Sequence, residues 1–147
     1  MPSSDDYIVS GIGSNEARLV WGIVAGLLKP AMDIAPEPKT TDWLLAEIEK
    51  QDKQLWLVVR GRIAAAIVTD IIDIMEATGV LRVCEVPYIG GADMPRWINR
   101  AEKLIGAWAK SNGCKALVGY GRPGWQRFGY AFKGHTNNGQ LIMAKDI

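Results

Sequence analysis

The sequence predicts an α+β fold, a mixed sheet that is antiparallel except for one central β-α-β unit. Two apolar, β-branched runs, 54–60 and 63–69, flank the hairpin turn Arg60-Gly-Arg62, and a third run at 80–87 completes an antiparallel meander. From Tyr88 the pattern changes to strand, glycine loop, helix and strand, which is typical of a parallel crossover. Because 147 residues suffice for one good core, we expect a single domain over 1–147.

The remaining elements follow from helical spacing, capping residues and turn signals. Ser14 is expected to cap a helix at 15–28, whose apolar stripe is Leu19, Val20, Ile23, Val24 and Leu27. Gly22 and Gly26 weaken that helix, which indicates close packing or ligand approach there. The other predicted elements are a strand at 7–10, a helix at 41–50 capped by Thr40 or Thr41, a helix from Asp93 to Asn112-Gly113, a strand at 114–120, a brief helix at 123–128, and strands at 132–134 and 140–144 around the turn 136–139.

Charge is divided along the chain although the total is only +1. Residues 1–94 carry 8 basic and 14 acidic side chains, a net charge of −6, whereas residues 95–135 carry 8 basic and one acidic, a net charge of +7. Two interpretations remain open. In the first interpretation, residues 95–135 bind an anionic ligand and residues 1–94 bind a cationic substrate. In the second, the two ends of one domain simply carry solvated charge.

Composition excludes several classes of protein. The longest apolar run without a charge, Leu19–Leu28, has ten residues where a membrane span needs about 20. Residues 1–6 lack the basic region of a secretory signal, so we expect a cytoplasmic protein. Cys84 and Cys114 are expected to be buried thiols. With one histidine, His135, expected in an exposed loop, neither a hydrolytic triad nor a two-histidine metal site is credible, and no metal is expected.

Carboxylates are judged by their surroundings. Asp70, Asp73 and Glu76 are expected at a loop or strand end, as solvated groups. Glu85 instead lies inside the apolar strand 81–87, where a carboxylate needs an ion-pair partner, a water or a substrate amine. Burial would raise the pKa of this carboxyl and suit it to act as a general base.

Two glycine-containing segments could bind phosphate. The segment Val86-Pro-Tyr-Ile-Gly-Gly-Ala-Asp-Met-Pro95 runs from a strand through glycines into a helix N-terminus, although it can equally be a plain turn capped by Asp93, whose charge repels anions. The match Gly119-Tyr-Gly-Arg-Pro-Gly124 to a dinucleotide fingerprint is accidental, because too little chain follows it for a Rossmann unit. Arg122 within it could still reach a phosphate.

The element order, with Val86-Pro-Tyr-Ile-Gly-Gly91 and Trp125-Gln-Arg-Phe-Gly-Tyr130, resembles the GNAT family of acetyl-CoA-dependent N-acetyltransferases over nearly the whole chain. More narrowly, the chain resembles divergent GNAT-like proteins of phages and prophages. The short matches that carry this second resemblance are Gln54-Leu-Trp56, Trp108-Ala-Lys110, Gly113-Cys114 and Gly121-Arg-Pro-Gly-Trp125.

The resemblance implies a cofactor, acetyl-CoA, and a set of roles. The strand at 80–87 would splay from the one at 115–120 and open a cleft in which the backbone of Val86 and Tyr88 pairs with pantetheine. Glu85 would deprotonate a small-molecule or protein amine, which then attacks the thioester. The loop residues that would present amides to the pyrophosphate are Gly90, Gly91, Ala92, Asp93 and Met94.

The chain also departs from the family pattern. The loop lacks the usual Arg or Gln, and Trp125 stands where a Tyr normally protonates the departing thiolate, which an indole cannot do. Tyr120 or Tyr88 would have to substitute. The alternative function is therefore a catalytically weak or inactive phage GNAT-like protein that acts through protein contacts, in virion assembly or on a host factor. Nucleic-acid binding is disfavoured, because Trp97 and Trp108 belong to a helix core stripe. Neither the acceptor nor the oligomeric state follows from the sequence.

Overall fold

The structure is a computed structural model that describes residues 6–121, 123–136 and 140–147. Its elements occur in the predicted order. They are β1 (Ile8–Ile12), α1 (Ala17–Asp33), α2 (Thr41–Glu49), β2 (Gln54–Arg60), β3 (Arg62–Glu76), β4 (Gly79–Gly91), α3 (Met94–Ser111), β5 (Ala116–Tyr120), a 3₁₀ helix (Pro123–Phe128), β6 (Ala131–His135) and β7 (Leu141–Asp146). No helix among the described residues is both long and apolar enough to cross a bilayer.

The strands form one sheet in the order β1-β2-β3-β4-β5-β7-β6. The β1/β2, β2/β3, β5/β7 and β6/β7 pairs are antiparallel. In contrast, β4 and β5 are parallel, and α3 is the crossover between them. The predicted α+β class, with a mostly antiparallel mixed sheet and a parallel β-α-β unit, is confirmed.

The chain divides into two compact units. The first consists of the described residues up to Thr69 together with Tyr88–Ala101, and the second of Asp70–Pro87 with Glu102–Ile147. In the first unit α1 and α2 pack with β2, β3 and Tyr88. The buried residues of that core are Ala17, Trp21, Val24, Leu28, Met32, Leu44, Leu45, Ile48, Leu55, Leu57, Ala66, Val68 and Tyr88. In the second unit a smaller cluster of Val83, Ala116 and Val118 lies on the sheet.

Helix α1 differs from its prediction in both ends and in its buried face. Glu16, not Ser14, precedes the helix and makes no side-chain capping bond, and the helix continues past Leu28 through Pro30 to Asp33. Leu19 and Ile23, predicted in the stripe, are 84% and 58% exposed. Two helical series of apolar residues compete in this segment, and the series that carries the large Trp21 side chain is the buried one.

Gly22 and Gly26 do not serve close packing in α1. Among the described residues, no atom outside the helix's own backbone lies within 4 Å of a Cβ built on either glycine, and both positions are exposed. Helix α2 begins as predicted at Thr40, whose Oγ1 accepts a hydrogen bond from the Trp43 amide at 3.0 Å.

Strands β3 and β4 form a hairpin longer than predicted, of 15 and 13 residues. Asp70, Asp73 and Glu76 therefore lie within β3 and not in a loop, and Asp70 is only 6% exposed. The prediction is wrong for Asp70, which is buried inside the strand, because the period-two apolar pattern of β3 continues past Thr69 through Ile72 and Ile74. Asp73 and Glu76 are exposed as predicted, and Glu76 is the last residue of the strand.

Helix α3 was predicted to bury a stripe of Trp97, Ile98, Ala101, Leu104, Ile105 and Trp108. Trp97, Ile98, Ala101 and Ile105 are buried, Trp108 is half-buried, and Leu104 is the exception at 41% exposure. The closing hairpin turn was predicted at 136–139. Thr136 donates its amide to the Gln140 carbonyl at 2.8 Å, and 137–139 lie outside the described residues.

Candidate active site

The parallel pair β4/β5 brings together the two predicted catalytic side chains. Its register matches Cys84 with Leu117, Glu85 with Val118, and Val86 with Gly119. Since side chains alternate along a strand, Tyr120 lies on the same face as Val118, and therefore as Glu85. The Tyr120 hydroxyl donates a short hydrogen bond to Glu85 Oε2, and both side chains are half-buried. Glu85 and Tyr120, predicted on separate grounds as base and acid, therefore form one hydrogen-bonded pair.

The surroundings of Tyr120 keep its phenol neutral. Burial is the largest cause that raises the pKa of Tyr120, followed by its hydrogen bond to Glu85 and by the negative charges of Glu85 and Asp70. Tyr120 packs against the apolar cluster of Val83, Ala116 and Val118. The low polarity of this cluster strengthens both the hydrogen bond and the charge effects.

The parallel ladder ends next to this pair. Val86 and Gly119 are its last registered residues, and the following residue of β4 is Pro87. Proline has no amide hydrogen to donate to a ladder. The carboxylate of Glu85 is therefore held two residues before the point at which β4 loses a ladder donor.

Gly90 and Gly91, predicted in the loop before α3, are instead the last two residues of β4, where they pack against the protein's own backbone. A Cβ on Gly90 would overlap the carbonyl oxygen of Leu27 in α1. A Cβ on Gly91, whose φ is +129°, would lie 2.5 Å from the Ala64 carbonyl oxygen and from Ala65 Cα. The amide of Ala92 donates to the same Ala64 oxygen at 3.2 Å. These contacts account for glycine at both positions without a ligand.

A basic cluster surrounds the start of α3, here called the Tyr7 cluster: Tyr7, Arg60, Asp93, Arg96 and Arg100. The Tyr7 hydroxyl donates to Asp93 Oδ2 at 2.8 Å and accepts from Arg60 at 3.2 Å. The guanidinium carbons of Arg60 and Arg96 lie 5.3 and 5.6 Å from the Tyr7 ring centroid, and Arg100 donates to the Tyr7 carbonyl. Tyr7 itself is 5% exposed.

The charge of this cluster favours an anion. Three guanidinium groups and one carboxylate contact Tyr7. Two of the guanidinium groups lie on the first two turns of α3, where the helix dipole disfavours positive charge. Asp93 has φ +61°, and its carbonyl accepts from the Arg96 amide at 2.9 Å, so the backbone turns sharply into the helix. Its carboxylate, predicted as the helix cap, bonds the Tyr7 hydroxyl.

The other residues proposed to bind the cofactor are less informative. Val86 is 7% exposed, and Tyr88 is 8% exposed with its side chain in the core of the first unit. Met94 is the first residue of α3. Arg122 lies outside the described residues, as does the side chain of Trp125.

Sequence reasoning missed the Tyr7 cluster and Asp70. The cluster draws on three separate segments of the chain, so no local spacing predicts it. Asp70 had a usable signal, because Val68, Asp70 and Ile72 alternate with residues of the opposite face. His135 lies in β6 and not in a loop; it is exposed as expected, and its ring is edge-on to Phe132 at 5.3 Å. In the described ranges, no group of three or more His, Cys, Asp or Glu could hold a metal.

Comparison with known proteins places the fold. An aminoglycoside 6'-acetyltransferase type Ii superposes with a TM-score of 0.69 at 14% identity, covering 95% of this chain and 96% of that one. A polyamine N-acetyltransferase from Drosophila melanogaster, which forms N-acetylagmatine, gives 0.64 at 14% identity, covering 97% and 100%. The GNAT domain of S. lividans PAT gives 0.64 at 17% identity, covering 95% and 89%.

These structures define the fold class of the chain, which is that of the GNAT acetyltransferases. Identities of 14–17% show the fold alone. No protein-family model matches the sequence, and a search of curated proteins finds no match.

Proposed function

We propose that this protein is an N-acetyltransferase that moves an acetyl group from acetyl-CoA to an amine. The observation that carries the proposal is the hydrogen-bonded pair Glu85–Tyr120 on adjacent parallel strands of a GNAT fold. A carboxylate and a phenol in contact supply the base and the acid that amine acylation requires. The acetyltransferases of similar fold act on amines, which supports the same general class of acceptor here.

The groups that would hold acetyl-CoA fit it in charge. Arg60, Arg96 and Arg100 provide positive charge at the start of α3, where the loop lacks the usual Arg or Gln. The backbone of Val86 and Tyr88 is proposed to pair with the pantetheine arm. The phosphates are proposed to bind where β4 passes into α3, at Gly90, Gly91, Ala92, Asp93 and Met94, together with Arg122.

Acetyl-CoA, when bound, supplies a thioester carbon for attack by the amine and a thiolate as leaving group. Glu85 takes the proton that the amine loses. Neutral Glu85 then no longer opposes ionisation of Tyr120, so the phenol becomes a better acid once the base has been protonated. Tyr120 can give the proton on its phenol oxygen to the departing thiolate while Glu85 returns the amine's proton to that oxygen, so that one proton passes overall from the amine to the thiolate. The pair thus acts as a relay, and the two proton transfers are coupled.

The test is thioester turnover with a panel of amines, measured as thiol release. We expect Glu85→Gln to lower kcat/KM by about 100-fold or more, because general-base catalysis contributes about 10²–10⁴. The matched control is Glu76→Gln, which removes an exposed carboxylate from β3 of the same unit and should leave turnover unchanged. Equal activity of Glu85→Gln and the wild type would remove Glu85 from the mechanism.

A second function has a specific observation in its favour, a GNAT-like module of a phage or prophage that contacts virion or host proteins without catalysis. The Ala92 amide already donates a hydrogen bond to the Ala64 carbonyl, and Gly90 and Gly91 are packed against backbone. Titration calorimetry separates the two functions. Heat of binding with CoA or acetyl-CoA supports the enzyme. No heat at millimolar ligand, with stable association of the protein with purified particles, supports the module.

A further inference from the structure

The β3/β4 hairpin carries a strand edge that the rest of the sheet does not use. The β2/β3 ladder ends at the pair Gln54–Thr69, whereas β3 continues to Glu76. Strand β3 has β4 on one side and β2 on the other. Among the described residues, no strand pairs with 71–76 on the β2 side. We call this stretch, residues 71–76, the hairpin edge. A strand edge of this kind offers backbone N–H and C=O groups to another chain.

The hairpin edge is apolar as well as open. Ile74 is 39% exposed and Met75 79%, and Val80, across the turn on β4, is 61% exposed. Residues 73–80 are all exposed. Apolar side chains on both faces of an open strand give a pairing partner contacts beyond its backbone hydrogen bonds.

The hairpin is also held in its extended form. Arg82 on β4 donates to Asp73 on β3 through Nε at 2.7 Å and Nη2 at 3.1 Å, a bidentate ion pair across the two strands. The same Arg82 donates to the Asn112 carbonyl at 3.2 Å. The Arg82 guanidinium lowers the pKa of the Asp73 carboxyl by direct hydrogen bonding, so this pairing persists at neutral pH. A preformed strand edge lowers the ordering cost of binding.

Charge decides which partner this edge suits. Outside the buried Asp70, residues 71–82 carry two carboxylates and one arginine, a net charge of −1. Asp73 and Arg82 pair with each other, and Glu76 lies at the end of the edge. A second copy of the chain would bring an equally acidic hairpin against it, and like charges on paired strands are destabilising. A basic segment meets the opposite sign.

We propose that the hairpin edge binds an extended basic segment of another protein by strand addition, with lysine or arginine alternating with β-branched apolar residues. The partner's backbone pairs with 71–76, its cations face Glu76, and its apolar side chains, on the opposite face of the added strand, cover Met75. This binding goes beyond acetyl transfer and does not depend on it.

The probe is a heptapeptide of alternating lysine and valine, with free ends blocked. Amide hydrogen exchange followed by NMR should show slower exchange at 71–76 on binding, and fluorescence anisotropy gives the affinity at low ionic strength. We expect Glu76→Lys to weaken binding roughly fivefold, because a cross-strand charge pair contributes up to about 1 kcal/mol. The control Glu37→Lys makes the same charge change at an exposed position in the first unit and should change the affinity less than twofold.

Three results would overturn the proposal. The first is no binding of the peptide at millimolar concentration. The second is equal binding of a peptide with the same side chains and N-methylated backbone, since such a peptide cannot pair with an edge. The third is protection of 71–76 without peptide that grows with protein concentration, which assigns the edge to a second copy of this chain.

Discussion

The phenol of Tyr120 is held in its neutral form by three effects of the same sign. Burial penalises the phenolate most, the hydrogen bond to Glu85 requires a proton on the phenol, and the Glu85 and Asp70 charges repel a third negative charge. The pKa of Tyr120 is therefore raised. The stabilisation that the neutral phenol gives the fold is fully present below the ordinary tyrosine pKa, and is lost as the pH rises through the raised one.

Replacing Glu85 should move this titration in a known direction. Glu85→Gln removes the charge and keeps the size, so we expect the pKa of Tyr120 to fall while staying above its ordinary value, because burial remains. The measurement is phenolate absorbance against pH, taken as the difference between a variant with and without the additional change Tyr120→Phe. An unchanged titration of Tyr120 in Glu85→Gln would contradict the hydrogen bond and the relay.

At the scale of elements, the end of β4 is fixed by two glycines that the protein's own backbone requires. Gly91 combines a φ of +129° with a Cβ position 2.5 Å from Ala65 Cα, and Ala65 belongs to the neighbouring strand β3. The backbone of Ala65 and that of Gly91 cannot move apart without shifting strands of the sheet. The end of β4 therefore has no space for a side chain at this position, where a plain turn would tolerate substitution.

This close packing gives a stability prediction with an internal control. Gly91→Ala should lower the free energy of unfolding by roughly 3 kcal/mol, from backbone strain and overlap. Gly26→Ala, at an exposed helical position with no described atom outside α1's own backbone within 4 Å of the new Cβ, should raise it by about 1 kcal/mol. Denaturant unfolding measures both. A Gly91→Ala protein as stable as wild type would show that the end of β4 is not packed against Ala64 and Ala65 as described.

The same elements show how far the sequence alone could predict the fold. The order of strands and helices was predictable because each has its own period, cap or turn signal, as at Thr40 and in the Arg60-Gly-Arg62 hairpin. The buried face of α1 was not, since Leu19 and Trp21 belong to competing series of similar spacing. Only tertiary packing selects between them.

For the whole molecule, the division of charge along the sequence is not a division between its compact units. The described residues of the first unit carry 9 basic and 9 acidic side chains, and those of the second carry 7 and 6. The net charges are 0 and +1, because the unit boundaries cross both the acidic and the basic segment. Any preference for an anion must therefore come from a local arrangement such as the Tyr7 cluster.

A pair of variants with the same net charge tests that conclusion. Arg96→Gln should weaken CoA binding about tenfold, as expected for loss of a charged hydrogen bond. Lys103→Gln, at another exposed position of α3, should weaken it less than twofold. Calorimetry at fixed ionic strength measures both. Equal losses would mean that overall charge, and not the Tyr7 cluster, attracts the ligand.

The candidate site was predictable from the sequence in part. Glu85 was recognised because a carboxylate inside an apolar strand needs a partner, and Tyr120 because the family's usual tyrosine position holds Trp125. Their mutual contact was beyond the sequence, since it depends on the register that matches Glu85 with Val118. The Tyr7 cluster was beyond it as well, because Tyr7 and Asp93 meet across 86 positions of the chain.

The two cysteines have a practical consequence for experiments on the hairpin edge. Cys84 and Cys114 are buried thiols, and burial raises the pKa of the Cys114 thiol, which keeps it in the unreactive protonated form. A cysteine introduced at exposed Met75 would therefore be the most reactive thiol in the folded protein. A dye or crosslinker could be attached there selectively without first replacing the native cysteines, and a partner bound at the edge could be captured in place.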